Sequence, residues 1–185
     1  MVLVNHFVTT VYSPAEDSYL LMKHIRALAR GSILDMGTGS GIQAVTAAEK
    51  TEVSRVVAVD IDPNAIKAAK QRASEKGVEN KIVFVLSDLF NNVEGRFDWV
   101  VFNPPYLPSE GETNDLSWVG GETGRETIER FLEKAGDHLI EGGSILLIYS
   151  SESNLDLREY GYQWEILEEE HLFFETLYCA QLKQV

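Results

Sequence analysis

The sequence predicts an α/β fold: a doubly wound, mostly parallel sheet of seven strands that ends on an antiparallel C-terminal edge hairpin. Three observations lead there. Short, near-continuous apolar runs alternate with helical stretches from residue 32 to residue 150, the pattern of parallel strands covered on both faces. Acidic and glycine residues gather just after those runs, where open parallel sheets bind their ligands. The last two apolar runs have no helix between them, so they pair as a hairpin.

The elements follow in order. In "SPAEDSYLLMKHIRALARG", Ser13 reads as an N-cap, Pro14 as the first helical residue and Glu16 as the capping-box acid. Leu20, Leu21, His24, Ile25 and Leu28 keep helical spacing, and Gly31 reads as the stop. Strand one is Ser32 to Met36, and "GIQAVTAAEK" is the next helix. Strand two is Arg55 to Asp60, followed by a helix opening on Pro63 and closing on Gly77. "KIVFVLSD" and "FDWVVF" (Phe97 to Phe102) are strands three and four. After a polar, glycine-rich stretch from Ser109 to Gly124, "RETIERFLEKAGDHL" reads as a helix and "GGSILLIYS" as strand five. "ESNLDLREYG" reads as a short helix, and "QWEILEEEHL" and "TLYCAQLKQV", joined by "FFE", are the closing hairpin.

At 185 residues, 44% hydrophobic and 24% charged, the chain suits one domain with a proper core, taken as residues 1–185. No apolar run reaches the roughly 18 residues that span a bilayer, and the N-terminus lacks the pattern of a signal peptide. A single cysteine, Cys179, excludes an internal disulfide and a zinc ribbon. His6, His24, His138 and His171 are scattered without metal-ligand spacing, so no metal is expected. These features describe a cytoplasmic enzyme or binding domain without membrane partners. The formal net charge of −13 opposes phosphate backbones, which argues against nucleic acid as the partner.

Four strand ends carry the chemistry. In "DMGTGSG", Asp35 ends strand one, and Gly37, Gly39 and Gly41 lead into a helix. Glycines let a backbone turn sharply and approach a ligand. The dinucleotide pattern would need glycine at position 42, where Ile42 stands, and the preceding acid suits a cationic ligand better than a pyrophosphate. A tight turn without a ligand is the plainer alternative. Asp60 ends strand two at the spacing from the glycine loop at which an acid meets a ribose diol, while Asp62 caps the next helix. Asp88 follows strand three; it either accepts from an adenine amino group, with Leu89 on the ring, or caps a turn. Asn103 follows strand four in "FNPPYLP". Pro104 and Pro105 offer carbonyls without N–H donors and hold their predecessors extended, and Tyr106 offers an aromatic face. Such a loop suits a planar group with a donating –NH₂.

Glycine loop, ribose acid and "NPPY" together resemble the class I S-adenosylmethionine-dependent methyltransferases, with their Rossmann-like fold, that act on planar amide or amine nitrogens. "VYSPAEDSYLL" and "WVGGETGRE" (Trp118 to Glu126) narrow the resemblance to the archaeal and eukaryotic HemK2/Mtq2 branch, across essentially the whole chain. Ser13 stands where that branch commonly has an acid, and the bacterial relatives' separate N-terminal helical domain has no room here. The resemblance implies S-adenosylmethionine as cofactor, with Asp35 near its amino group, Gly37 and Gly39 giving room and Ser18 closing the methionine end. It places Asp60 on the ribose and Asp88 and Leu89 on the adenine. Asn103 and Pro104 then hold the acceptor –NH₂, with Pro105 and Tyr106 completing the catalytic motif. The implied substrate is the glutamine of the Gly-Gly-Gln loop of a class I release factor. Adenine in nucleic acid and protein lysine are the alternatives, and a non-catalytic cofactor-binding subunit is a further one. A small Trm112-type zinc-binding activator is the implied partner, against the strand "RVVAVD" or "KIVFVL" if either is an exposed sheet edge.

Overall fold

The structure, a computed structural model, describes residues 11–105 and 125–185. A seven-stranded sheet runs through the middle, with strands in chain order β1 (Gly31–Met36), β2 (Val53–Asp60), β3 (Ile82–Leu86), β4 (Phe97–Phe102), β5 (Leu139–Ser150), β6 (Tyr162–His171) and β7 (Thr176–Gln184). Its spatial order is β3-β2-β1-β4-β5-β7-β6. The first five strands are parallel to one another, while β7 runs antiparallel to both β5 and β6. The chain lays β1, β2 and β3 outward in one direction, then returns to place β4 on the other side of β1. That reversal between β1 and β4 opens a crevice at the strand ends. Of the two strands expected as a partner edge, β3 is at the edge and β2 lies inside.

Alternation along the strands feeds two cores. Ile33, Val56, Ala58, Trp99, Val101, Leu146 and Ile148 face α1 (Glu16–Leu28) and α2 (Ile42–Ala48), together with part of α3 (Pro63–Lys76). Leu34, Met36, Val57, Val59, Val100, Phe102 and Leu147 face the opposite way, onto Ile128, Phe131 and Leu132 of α4 (Glu126–Ala135). Burial on both faces explains why these strands read as continuous apolar runs. Cys179 is buried in the first core, where desolvation pushes its thiol up to about 12. No helix among the described residues is long and apolar enough to cross a membrane.

Two helix ends differ from the sequence expectation. Ser13 does not cap α1: the helix starts at Glu16 behind an extended Ala15, with no side-chain cap. Residues 11–15 instead carry Tyr12 back onto Asp17, whose carboxyl also accepts from the Ser18 amide in the first turn. Gly31 does not stop α1, which ends at Leu28; it opens β1 in the left-handed region, against the Asp98 carboxyl. Asp62 and Gly77 do cap α3, the first accepting from the Asn64 amide and the second in the left-handed conformation. The expected short helix after β5 is two 3₁₀ turns, Ser151–Ser153 and Leu157–Tyr160.

Candidate active site

Register brings four strand ends level: Met36 lies beside Val59 and Phe102, and Asp60 beside Leu86. Their loops ring a cavity of about 330 Å³, a size ordinary for a cofactor pocket. Along the sheet, its wall runs from Asp88 and Leu89 after β3, past Asp60 after β2 and the glycine loop after β1, to Asn103, Pro104 and Pro105 after β4. Tyr12, Asp17 and Ser18 from around α1 and Gln43 from α2 close the far end.

The glycine loop is held from below and from the side. Asp35, fully buried, accepts at Oδ2 from Thr38 Oγ1 at 2.7 Å and from the Ala44 amide at 3.0 Å. It sits beneath the loop and is not among the residues that wall the cavity. Burial pushes its carboxyl up to about 7, against the pull of those two donors. Asp60 ties down the loop's upper side: Oδ2 accepts from the Gly39 amide at 2.8 Å and Oδ1 from the Asp62 amide at 2.9 Å. Burial also raises the Asp60 carboxyl, again opposed by its backbone donors. Gly41 caps α2 in the left-handed region where a Cβ would lie 2.7 Å from Ala69 Cα, so only glycine lets α2 and α3 meet here. At Gly39, by contrast, a Cβ would meet nothing nearer than the Gly37 carbonyl at 3.9 Å; the loop offers open backbone to a ligand.

At the β3 end, Leu89 takes a positive φ of 45°, rare for a branched side chain and a mark of local strain. Asp88 beside it accepts from Arg130 Nη2 of α4 at 2.7 Å. That bond engages one of the two carboxylate oxygens, Oδ2.

The far end is built on one side-chain amide. Asn103 Nδ2 donates to Asp17 Oδ2 at 3.0 Å, and Asp17 Oδ1 accepts from the Tyr12 hydroxyl at 2.7 Å. Because a carboxylate only accepts, the Asn103 –NH₂ must face Asp17 and its Oδ1 must face away. That Oδ1 is buried and has no hydrogen-bond partner among the described residues. Gln43 repeats the arrangement: Nε2 donates to the Ser18 carbonyl at 2.8 Å, and Oε1 is buried without a partner. Buried acceptors without donors are costly, and these two both belong to residues that wall the cavity.

Comparison with known proteins agrees with this geometry. Residues 9–169 match the methyltransferase small domain. The chain is 39% identical, over 90% of its own length and 88% of the other's, to a Methanocaldococcus jannaschii protein named as a candidate protein N5-glutamine methyltransferase. The chain belongs to the methyltransferase small-domain family. Human methyltransferase HEMK2 is 30% identical, over 78% of this chain and 73% of that one. The Mtq2 structure of E. cuniculi, solved as an Mtq2–Trm112 complex, superposes with a TM-score of 0.72 at 28% identity, covering 95% of this chain and 99% of that one. These relatives put the methyltransferase in the HemK2/Mtq2 branch.

Of the residues singled out from sequence, Ser18, Gly37, Gly39, Asp60, Asp88, Leu89, Asn103, Pro104 and Pro105 all wall the methyltransferase's cavity, and Asp35 does not. Tyr106 and the stretch from Trp118 to Gly124 lie outside the described residues. Asp17 was legible but unread: it shares the buried helix face of Leu20 and Leu21, three and four residues on, where an acid needs a partner. Gln43 stands out similarly in the otherwise small and apolar "IQAVTAA". Nothing in the sequence marks Arg130 or Thr127.

Proposed function

We propose that this chain transfers a methyl group from S-adenosylmethionine to the side-chain amide nitrogen of a glutamine, in the Gly-Gly-Gln loop of a class I release factor. One observation carries the reading: the buried Oδ1 of Asn103, without a hydrogen-bond partner among the described residues and held in place through its own –NH₂ by Asp17. An acceptor so fixed recognises an –NH₂ and rejects a group that only accepts. Pro104 and Pro105 beside it add carbonyls and no competing donors.

The cavity fits the cofactor. Asp60 is the acceptor for the ribose diol, and Asp88 with Leu89 receives the adenine at the β3 end. A ligand laid along the strand ends from there would bring its amino-acid portion against Ser18 and Gln43 Oε1, which has no partner among the described residues. Partial negative charge at that end suits an ammonium. The cofactor's sulfonium makes its methyl group electrophilic.

An amide nitrogen is a weak nucleophile because its lone pair is shared with the carbonyl. Asn103 Oδ1 and the Pro104 carbonyl accept the two N–H bonds of the substrate amide and aim its nitrogen along the cavity. As the N–CH₃ bond formed and the S–CH₃ bond broke, leaving the neutral thioether S-adenosylhomocysteine, the same two acceptors would stabilise the positive charge that grows on nitrogen. The amide proton then leaves to water, and no residue needs to be a strong base. Asp17 strengthens this by holding the Asn103 –NH₂, which enriches Oδ1.

The acceptor is inferred from a relative: Mtq2–Trm112 is described as responsible for methylation of the termination factor eRF1. A net charge of −13 fits a protein substrate better than a nucleic acid. Such a substrate supports a cytoplasmic location. A Trm112-type activator finds a candidate seat on β3, the sheet edge where Val83 and Leu86 are more than half exposed.

The test is transfer of labelled methyl to release factor, to its Gln→Ala loop variant and to DNA, with and without the activator. Label should reach only the intact factor; label on DNA and not on the factor would overturn the reading. Asn103→Ala should lower turnover by at least a hundredfold, with cofactor affinity by calorimetry within about twofold of the parent. Unchanged turnover would remove Asn103 from the mechanism.

A further inference from the structure

The turn between β6 and β7 carries two phenylalanines that the fold does not use. Phe173 and Phe174 are 92% and 87% exposed. Hairpin turns ordinarily take polar residues or glycine. This one is closed by the Leu172 amide on the Glu175 carbonyl at 2.8 Å, a bond that asks nothing of either ring. The rings meet edge to face at 4.6 Å, so they stand as one stiffened apolar knob.

Its position gives the knob meaning. β5 passes Phe102 of β4 at Leu147 and continues to Ser150, and β7 begins opposite that far end, with Leu177 paired to Ser150. The hairpin therefore rises on the same side of the sheet as the cavity. Three residues of strand put its base about 10 Å above the level of Phe102. Two to three strand spacings put it about 10–14 Å to the side of Asn103. A group seated in the cavity cannot touch it, whereas the body of a macromolecule presenting that group can.

The surroundings define what it grips. Glu169 is exposed, and Glu170 and Glu175 are partly so. Further down β6, Glu168 is engaged by Lys23, whose Nζ lies 2.7 Å away. An aromatic knob rimmed by carboxylates complements an apolar pocket edged by Lys or Arg. We propose that Phe173 and Phe174 form a docking post for the body of the protein substrate, seating in an apolar pocket flanked by basic side chains. The proposal rests on the reading of this chain as a protein methyltransferase and adds a second point of contact, remote from the reacting amide.

The experiment compares parent, Phe173→Ser/Phe174→Ser and Glu169→Lys/Glu170→Lys on full-length release factor and on a pentapeptide centred on the Gly-Gly-Gln glutamine. Two residues on either side of the glutamine reach only about 7 Å, short of the post. The serine pair should raise KM and the directly measured Kd for the full factor about ten- to a hundredfold, leaving kcat, cofactor affinity and pentapeptide kinetics unchanged. The lysine pair should weaken binding of the full factor and flatten its salt dependence. An unchanged Kd for the factor overturns the proposal. So does equal loss on factor and pentapeptide, which would make the post a support of the fold. A shift from dimer to monomer in the serine pair would assign the knob to a second copy of the chain instead. If the parent binds the factor through the post without methylating it, the reading of the activity fails and the docking surface stands.

Discussion

Asp35 is fully buried beneath the glycine loop, with Thr38 and Ala44 as its donors and the Asp60 carboxyl nearby. Burial outweighs those donors and lifts its carboxyl to about 7. An unfolded aspartate titrates near 4. Between pH 4 and pH 7 the folded chain thus holds a proton that the unfolded chain has lost. This contribution to stability is full below about pH 4 and disappears as pH rises through about 7. Unfolding free energies from denaturant titration should accordingly fall from pH 5 to pH 8, by an amount on the order of 2–4 kcal/mol. Asp35→Asn should flatten that slope, leaving the smaller part due to Asp60, whose carboxyl is also raised by burial. An identical slope in parent and variant would show that Asp35 is ionised throughout. At this scale the sequence was readable wherever a residue follows a strand, because the fold class itself says what strand ends do. It was silent on Arg130, which reaches Asp88 across 42 positions of chain through tertiary packing alone.

Elements were legible to the extent that their ends are decided locally. The caps Asp62 and Gly77 depend on their own neighbours, and both are where the sequence put them. Ser13 and Gly31 obey contacts from elsewhere: the segment before α1 is drawn to Asp17, and Gly31 is drawn against Asp98 of β4. The same distinction separates two glycine substitutions. Gly41→Ala adds a clash with Ala69 to an unfavourable backbone conformation at the α2–α3 contact, and should cost about 2–4 kcal/mol. Gly77→Ala shares the conformation, but its Cβ meets nothing within 4 Å, so about 1 kcal/mol is expected. Chemical denaturation of both variants checks the contrast; equal losses would mean that helix packing does not decide the Gly41 site.

The whole molecule was predicted in class and strand count, yet hydropathy did not say which strand lies at the edge. β2 and β3 are both apolar runs, and only the crossover past β1 makes β3 the outer one. Its exposed Val83 and Leu86 are ready for a partner strand. Val83→Lys/Leu86→Lys should leave stability within about 0.5 kcal/mol, since both side chains already face solvent, and should abolish any stimulation by the proposed Trm112-type activator. Retained stimulation would move the activator to another surface. The hydrogen bond from Asn103 to Asp17 joins residues 86 positions apart. The acceptor's orientation is thus a property of tertiary closure: until the N-terminal helix has docked beside the end of β4, that amide is free to turn over and present its donors instead. On the proposed mechanism, catalytic competence and completed folding share one bond: a chain caught half-assembled holds no aimed acceptor.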